Sequence, residues 1–194
     1  MKRIFDVVTS LLLFCILSPL FLILSLLILI VDGQAPIFVQ RRIGKGGKPF
    51  HLFKFRTMRH SLTGKDFDAG NSSRITALGK FLRSTKLDEL PQLLNVILGN
   101  MSLVGPRPEV KDWTRYYPEK WKVVHQVRPG ITDYASLEFR KEEELLGKYD
   151  RPDEAYRDII LPQKLMLYIE YVNNRSFGGD LKILLKTIKT VWVK

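Results

Sequence analysis

The sequence predicts a mostly helical α+β protein. An N-terminal membrane helix, broken at a Ser-Pro pair, re-enters the face it left; a β-hairpin and interfacial amphipathic helices then surround a small cytoplasmic domain. Three observations carry this reading. Residues 7–31 are an uncharged, apolar run interrupted at its middle by Ser18-Pro19. Two apolar segments flank a glycine-rich turn at residues 44–48. The remainder alternates helical apolar patterns with basic residues, ending in a basic amphipathic stretch at residues 180–194.

The apolar run is long enough to cross a bilayer, which takes about 20 residues. Proline at its midpoint removes a backbone donor and clashes with the preceding turn. Ser18 can bond back to a carbonyl one turn earlier and favours a bend at the same place. Lys2 and Arg3 precede the run, and Arg41, Arg42, Lys45, Lys48, Lys54, Arg56 and Arg59 follow it. Short flanks rich in Lys and Arg stay in the cytoplasm. A straight span would export one basic flank, whereas a re-entrant helix hinged at Ser18 and Pro19 keeps both inside. A cleaved signal peptide fits poorly, because the run exceeds the roughly 7–15-residue apolar core of such peptides and no small-residue cleavage site follows. The expected division is residues 1–32 as the re-entrant membrane helix and 33–194 as a cytoplasmic domain with membrane-interface helices.

The chain has 194 residues and a formal net charge of +11, which points to an anionic partner: nucleic acid, a lipid surface or a phosphorylated substrate. Cys15, the single cysteine, reads as a small apolar residue of the membrane segment, and no Cys/His cluster suggests zinc.

Residues 36–41 and 49–55 read as strands joined by the Gly44-Lys45-Gly46-Gly47-Lys48 turn. Residues 61–73 are polar and read as a mobile surface loop. Helices are expected over residues 76–83 and from near Asp88 to about Leu98. Gly105-Pro106-Arg107-Pro108 and Arg128-Pro129-Gly130-Ile131-Thr132 are stiff loops, since each proline fixes its own backbone and restrains its predecessor. Trp113, Tyr116, Tyr117 and Trp121 suit either a helix at a membrane interface or an aromatic core face. Residues 142–171 read mostly as helix, with Pro162 forcing a break or a new start. The last stretch sets Lys182, Lys186 and Lys189 against Ile183, Leu184, Leu185, Ile188 and Trp192. It reads equally as a helix lying on anionic lipid or as one docked on the domain.

The densest candidate for chemistry lies around Asp88-Glu89. Pro91 is tolerated only in the first turn of a helix, so the helix starts at or just after Asp88. Two carboxylates there read as a cap with a favourable dipole contact. They read equally as functional groups, because the same free N–H groups and dipole attract phosphate. An ionised carboxylate at such a terminus can be a nucleophile toward phosphorus, and its neighbour can hold Mg²⁺ with the help of substrate phosphates. Arg83, Arg107, Arg128, Lys54 and Arg56 are cations suited to those phosphates, the two on proline-fixed loops being preorganised for bidentate contact. The combination suggests phosphoryl transfer at a bilayer surface.

In order along the chain come Lys2-Arg3-Ile4-Phe5-Asp6, the Ser18-Pro19 break, Phe38-Val39-Gln40-Arg41-Arg42-Ile43-Gly44, Phe53-Lys54-Phe55-Arg56-Thr57-Met58, Leu78-Gly79-Lys80-Phe81-Leu82-Arg83, Leu87-Asp88-Glu89-Leu90-Pro91-Gln92, Gly99-Asn100-Met101-Ser102-Leu103-Val104-Gly105-Pro106-Arg107-Pro108 and Val127-Arg128-Pro129-Gly130-Ile131-Thr132. Over residues 2 to about 132 this order closely resembles the bacterial sugar transferases called monotopic phosphoglycosyl transferases, in their minimal single-domain form. The resemblance implies transfer of a sugar 1-phosphate from a UDP-sugar to undecaprenyl phosphate, releasing UMP, at the cytoplasmic face of the bacterial inner membrane. It implies that Asp88 attacks the β-phosphorus to give a phosphosugar–enzyme intermediate, that Glu89 assists with Mg²⁺ at the site, and that Arg83 and Arg107 neutralise phosphate. Arg128 carries over either as a phosphate ligand or as part of its loop. Membrane lipid is an expected partner, nucleic acid is not, and a homodimer is compatible with such an enzyme. After Thr132 the chain departs from the family: many members continue Gly-Trp-Ala-Gln where this one has Asp133-Tyr134-Ala135-Ser136. Residues 133–171 are read as the place where the sugar is chosen. The competing reading is a non-catalytic, membrane-anchored protein that binds anions or lipid and has no special need of Asp88.

Overall fold

Lys2–Leu27 forms a single helix, α1, that keeps its helical course through Pro19 and ends in a π-helical turn at Ile28–Asp32. The hydroxyl of Ser18 donates to the carbonyl of Cys15 at 2.8 Å, the back-bond expected beside a proline. Among the described residues, Lys2–Asp32 is the helix long and apolar enough to cross a membrane. Its middle is uncovered: Leu12, Ile16, Leu22 and Ile23 are all exposed, Ile16 to 71%. The computed structural model describes residues 1–59 and 74–192, so the polar loop expected at residues 61–73 lies outside the described residues. The described chain is a mostly helical α+β protein with a long apolar N-terminal helix and a small antiparallel hairpin.

The hairpin consists of β1 (Ile37–Ile43) and β2 (Pro49–Phe55), close to the bounds read from the sequence. Helix α2 (Ala77–Ser84) is capped by Thr76, whose hydroxyl accepts from the Gly79 amide. The sequence places one helix from near Asp88 to about Leu98; the structure divides it. Leu87–Glu89 is a 3₁₀ turn, and α3 proper runs over Gln92–Ile97 behind Pro91. Proline has no N–H to bond the preceding turn, so the first turn tightens to i→i+3 bonds, from Leu90 N to Leu87 O and from Leu93 N to Leu90 O.

Two short parallel strands, β3 (Ser102–Val104) and β4 (Gly130–Thr132), are joined by a crossover carrying α4 (Lys111–Thr114) and α5 (Pro118–Val124). The aromatic segment is therefore two helices, separated where Tyr117 takes a left-handed conformation (φ 59°). Trp113 and Trp121 are buried, so of the two readings offered for this stretch the core face holds. Then come α6 (Tyr134–Glu138), α7 (Glu142–Leu146), α8 (Pro152–Ala155), a π-helical turn at Tyr156–Ile160, α9 (Leu161–Asn174) and α10 (Phe177–Trp192). Pro162 sits in the first turn of α9, the new start expected there.

The chain groups into two units. The first comprises residues 1–40 and 51–99, the second 41–50 and 100–194. The core of the first joins Leu24 and Ile28 of the N-terminal helix and its closing turn to Phe55 and Leu82, with Phe21, Leu78, Leu87 and Leu90 around them. The core of the second is built from Trp113, Trp121, Tyr156, Ile160, Leu161, Leu165 and Tyr168. In this unit α10 is docked through Ile183, through Asp180 to the Tyr171 hydroxyl (2.8 Å), and through Thr187 to the Thr132 hydroxyl (2.7 Å). Leu181, Leu185 and Ile188 of the same helix are left exposed. Docking accounts for one face of α10, and the apolar stripe on another is exposed.

Candidate active site

Thr57 and Gly79 fix the frame of the first unit. A Cβ on Gly79 would come within 2.1 Å of the Thr57 carbonyl oxygen, so α2 lies backbone to backbone on the segment just after β2. The Thr76 amide donates to the same Thr57 carbonyl, and the Thr76 hydroxyl donates to Asp32 at the foot of α1 (2.9 Å). A second tie runs from α3: Asn95, fully buried, accepts from the Phe53 amide at 2.9 Å and donates to the His51 carbonyl at 2.6 Å. One amide side chain thus satisfies two backbone groups of β2 and ties α3 to the strand that carries Lys54.

On this frame stand Asp88 and Glu89, 6% and 8% exposed. They belong to the 3₁₀ turn that follows Lys86, which takes a left-handed conformation (φ 60°) uncommon for a side-chain-bearing residue. Neither Lys86 nor Pro91, the residues preceding the two helical pieces, caps with its side chain. Two adjacent buried carboxylates are costly to hold away from water and need cations or donors to offset that cost. Among the sequence-predicted cations, Arg83 (last turn of α2), Lys54 (β2) and Arg56 fall in the same unit. Arg56 donates from Nε to the Ala35 carbonyl at 2.9 Å and lies over the Phe38 ring, at the base of the hairpin. Gln92, which the sequence reading passed over, opens α3 with a buried side chain; its Nε2 has no hydrogen-bond partner among the described residues.

The charge of a metal ion would suit this pair. Mg²⁺ is held by one or two carboxylates together with substrate phosphates and water, and Asp88 and Glu89 would be the carboxylates of such a set. The described residues contain no group of three or more carboxylate, imidazole or thiol ligands that would form an all-protein cage.

Arg107 and Arg128 fall in the second unit, on the two stiff loops. The parallel pairing of β3 with β4 brings those loops together: Ser102 N donates to Pro129 O at 2.8 Å, Gly130 N to Pro106 O at 3.0 Å and Gly105 N to Thr132 O at 3.1 Å. A Cβ on Gly130 would meet the Gly105 amide nitrogen at 2.1 Å, so only glycine allows the approach. Beside the loops lies Asp133, which caps α6 by accepting from the Ser136 amide (2.9 Å). Its burial pushes the carboxyl above the usual range, with the Ser136 hydrogen bonds and Arg107 working against that. The residue after Pro108, Glu109, is buried among polar and charged groups the sequence reading did not connect: Arg42, Tyr156 and Lys164.

The chain is 38% identical over its whole length to the uncharacterized sugar transferase EpsL of Bacillus subtilis, spanning 88% of that protein. It is 35% identical over 98% of its length to a UDP-glucose:undecaprenyl-phosphate glucose-1-phosphate transferase of Caulobacter vibrioides, spanning 69% of it. It is 34% identical over 97% of its length to the Escherichia coli protein of the same description, of which it spans 39%. The model of the bacterial sugar transferase family matches residues 1–194. With that match, and with phosphotransferases among its relatives, this membrane-associated chain belongs to the bacterial sugar transferase family and is an enzyme of that class.

Proposed function

We propose that the protein is a phosphoglycosyl transferase moving a sugar 1-phosphate from a UDP-sugar to undecaprenyl phosphate at the cytoplasmic face of the inner membrane. The observation that carries the reading is the buried Asp88–Glu89 pair, set on a helical turn within the unit that α1 anchors. In the first half-reaction a carboxylate oxygen of Asp88 attacks the β-phosphorus of the UDP-sugar. The bond from that phosphorus to the bridging oxygen breaks and UMP leaves with the electron pair. In the second, a phosphate oxygen of the lipid attacks the phosphosugar–aspartate and the Asp88 carboxylate departs. One carboxylate thus serves both steps, and two anionic substrates never have to occupy the site together. Arg83, Lys54, Arg56, Arg107 and Arg128 are assigned to the phosphate oxygens, where catalysis of phosphoryl transfer is chiefly positioning and charge neutralisation. Asp88 and Glu89 would hold Mg²⁺, which when bound would offset the phosphate charge.

The membrane arrangement assigned here is a re-entrant helix over residues 1–32 hinged at Ser18-Pro19, with residues 33–194 cytoplasmic. It is supported by how α1 is held at its two ends. Near its start, Arg3 donates to the carbonyl of Val96 at 2.7 Å; near its end, Leu24 and Ile28 pack with Phe55 and Leu82. An uninterrupted helix of 26 residues is about 39 Å long, more than a bilayer's hydrocarbon thickness. Both ends nevertheless meet the unit carrying Asp88. Membrane lipid then meets the exposed middle of α1 and the stripe Leu181, Leu185 and Ile188.

The test uses purified protein with a panel of UDP-sugars, with and without undecaprenyl phosphate. One sugar nucleotide should release UMP, and mass spectrometry should find a phosphosugar on Asp88 when the lipid is withheld. Asp88→Asn should lower turnover by roughly three orders of magnitude or more while membrane association is kept. Lipid-dependent turnover without any adduct or lipid-independent UMP would make Asp88 a metal ligand and the lipid phosphate the direct attacker. No UMP from any sugar nucleotide would sink the transferase reading itself.

A further inference from the structure

Glu109 follows Pro108 directly, and every acceptor it has is used. Its backbone carbonyl accepts from the Ile43 amide at 2.9 Å. One carboxylate oxygen takes Arg42 Nη1 at 3.1 Å; the other takes the Tyr156 hydroxyl at 2.6 Å and faces Lys164 Nζ at 3.8 Å. Arg42 Nη1 also donates to the Pro108 carbonyl at 3.2 Å, and Lys164 donates to Glu142 (2.9 Å) and to the Tyr156 hydroxyl (3.2 Å). Arg42, Glu109 and Lys164 are all buried, 9% exposed or less. Three segments distant in sequence, at residue 42, at residue 109 and at residues 156–164, converge on the backbone just past Arg107.

Burying charges in this way is poor economy if stability is the only object, since well-packed apolar residues of similar volume do as well or better. A charge network does fix direction, because each bond demands its own geometry. We propose that Glu109 is a positioning residue: Arg42, Tyr156 and Lys164 hold it so that the Pro106-Arg107-Pro108 loop presents the Arg107 guanidinium to substrate phosphate already oriented. This rests on the assignment of Arg107 to phosphate. The electrostatics agree with the geometry: burial alone would raise the Glu109 carboxyl, yet Lys164, Arg42, the Tyr156 hydrogen bond and Arg107 together hold it below the usual range.

A double-mutant cycle tests the proposal, measured as UMP release by the full-length protein in lipid nanodiscs with the sugar nucleotide turned over fastest in the panel. Arg107→Ala should lower kcat/KM by about a hundredfold, and Glu109→Gln by about tenfold, chiefly through KM for the sugar nucleotide. The double variant should lie within about twofold of Arg107→Ala alone, since Glu109 then has nothing left to position. Tyr156→Phe, which removes one hydrogen bond and no charge, should give a smaller loss that likewise vanishes in the Arg107→Ala background; it carries the test if Glu109→Gln does not fold. Losses that multiply mean a structural role and overturn the proposal while leaving Arg107's role intact. If Arg107→Ala stays within about twofold of the unmodified enzyme, the phosphate assignment falls and the proposal falls with it.

Discussion

Gly79 and Asn95 show how single side chains, or the lack of one, hold the Asp88–Glu89 turn in place. Thr57 leaves no room for a Cβ at position 79. Gly79→Ala must therefore push α2 away from its seat and should cost about 3 kcal/mol or more, read as a lowered melting temperature with the chain's α1 anchor intact. The sequence showed Leu78-Gly79-Lys80 as part of a motif, but a helical glycine reveals its neighbour only once Thr57 is beside it. Asp88, Glu89 and Arg83 were legible as candidates because acidic residues before a helix proline are an uncommon local pattern. Glu109 was not, because its meaning lies in residues 42, 156 and 164, which no local pattern connects.

At the scale of elements, the hairpin and α2 were legible almost to the residue. Turn glycines, strand alternation and a Thr cap are all local signals. The β3–β4 pairing was missed, since three-residue strands carry no periodicity and a parallel partner lies a whole crossover away. The break at Tyr117 was missed as well, because a left-handed tyrosine is imposed by packing and not by its own preference. For α1, the hinge reading makes an explicit demand. Replacing Ser18-Pro19 with Ala-Ala restores an amide donor and removes the back-bond to Cys15, so the helix should straighten. Accessibility labelling of Lys2 and Lys45 should then report opposite sides of the membrane. Both remaining cytoplasmic would show that the pair does not make the turn.

For the whole molecule, stability should depend on pH in a defined direction. Burial holds the half-buried His125 below its ordinary 6.5, so the unfolded chain binds that proton first, and stability should fall as pH drops from 6.5 through the lowered value. Glu109, also held low, adds a second loss as pH falls below 4.5, while Asp133, held high, works the other way, favouring the fold below its raised value. Thermal melts against pH should show the first step, and His125→Gln should remove it; a profile flat between pH 6.5 and 5 would contradict the burial of the imidazole. The bond from Arg3 to Val96 spans 93 positions and has a consequence for how the protein is made. When α1 leaves the ribosome and meets the bilayer, the carbonyl that Arg3 will hold has not yet been synthesised. The helix is therefore made first and clasped afterwards, once the chain has grown past Val96.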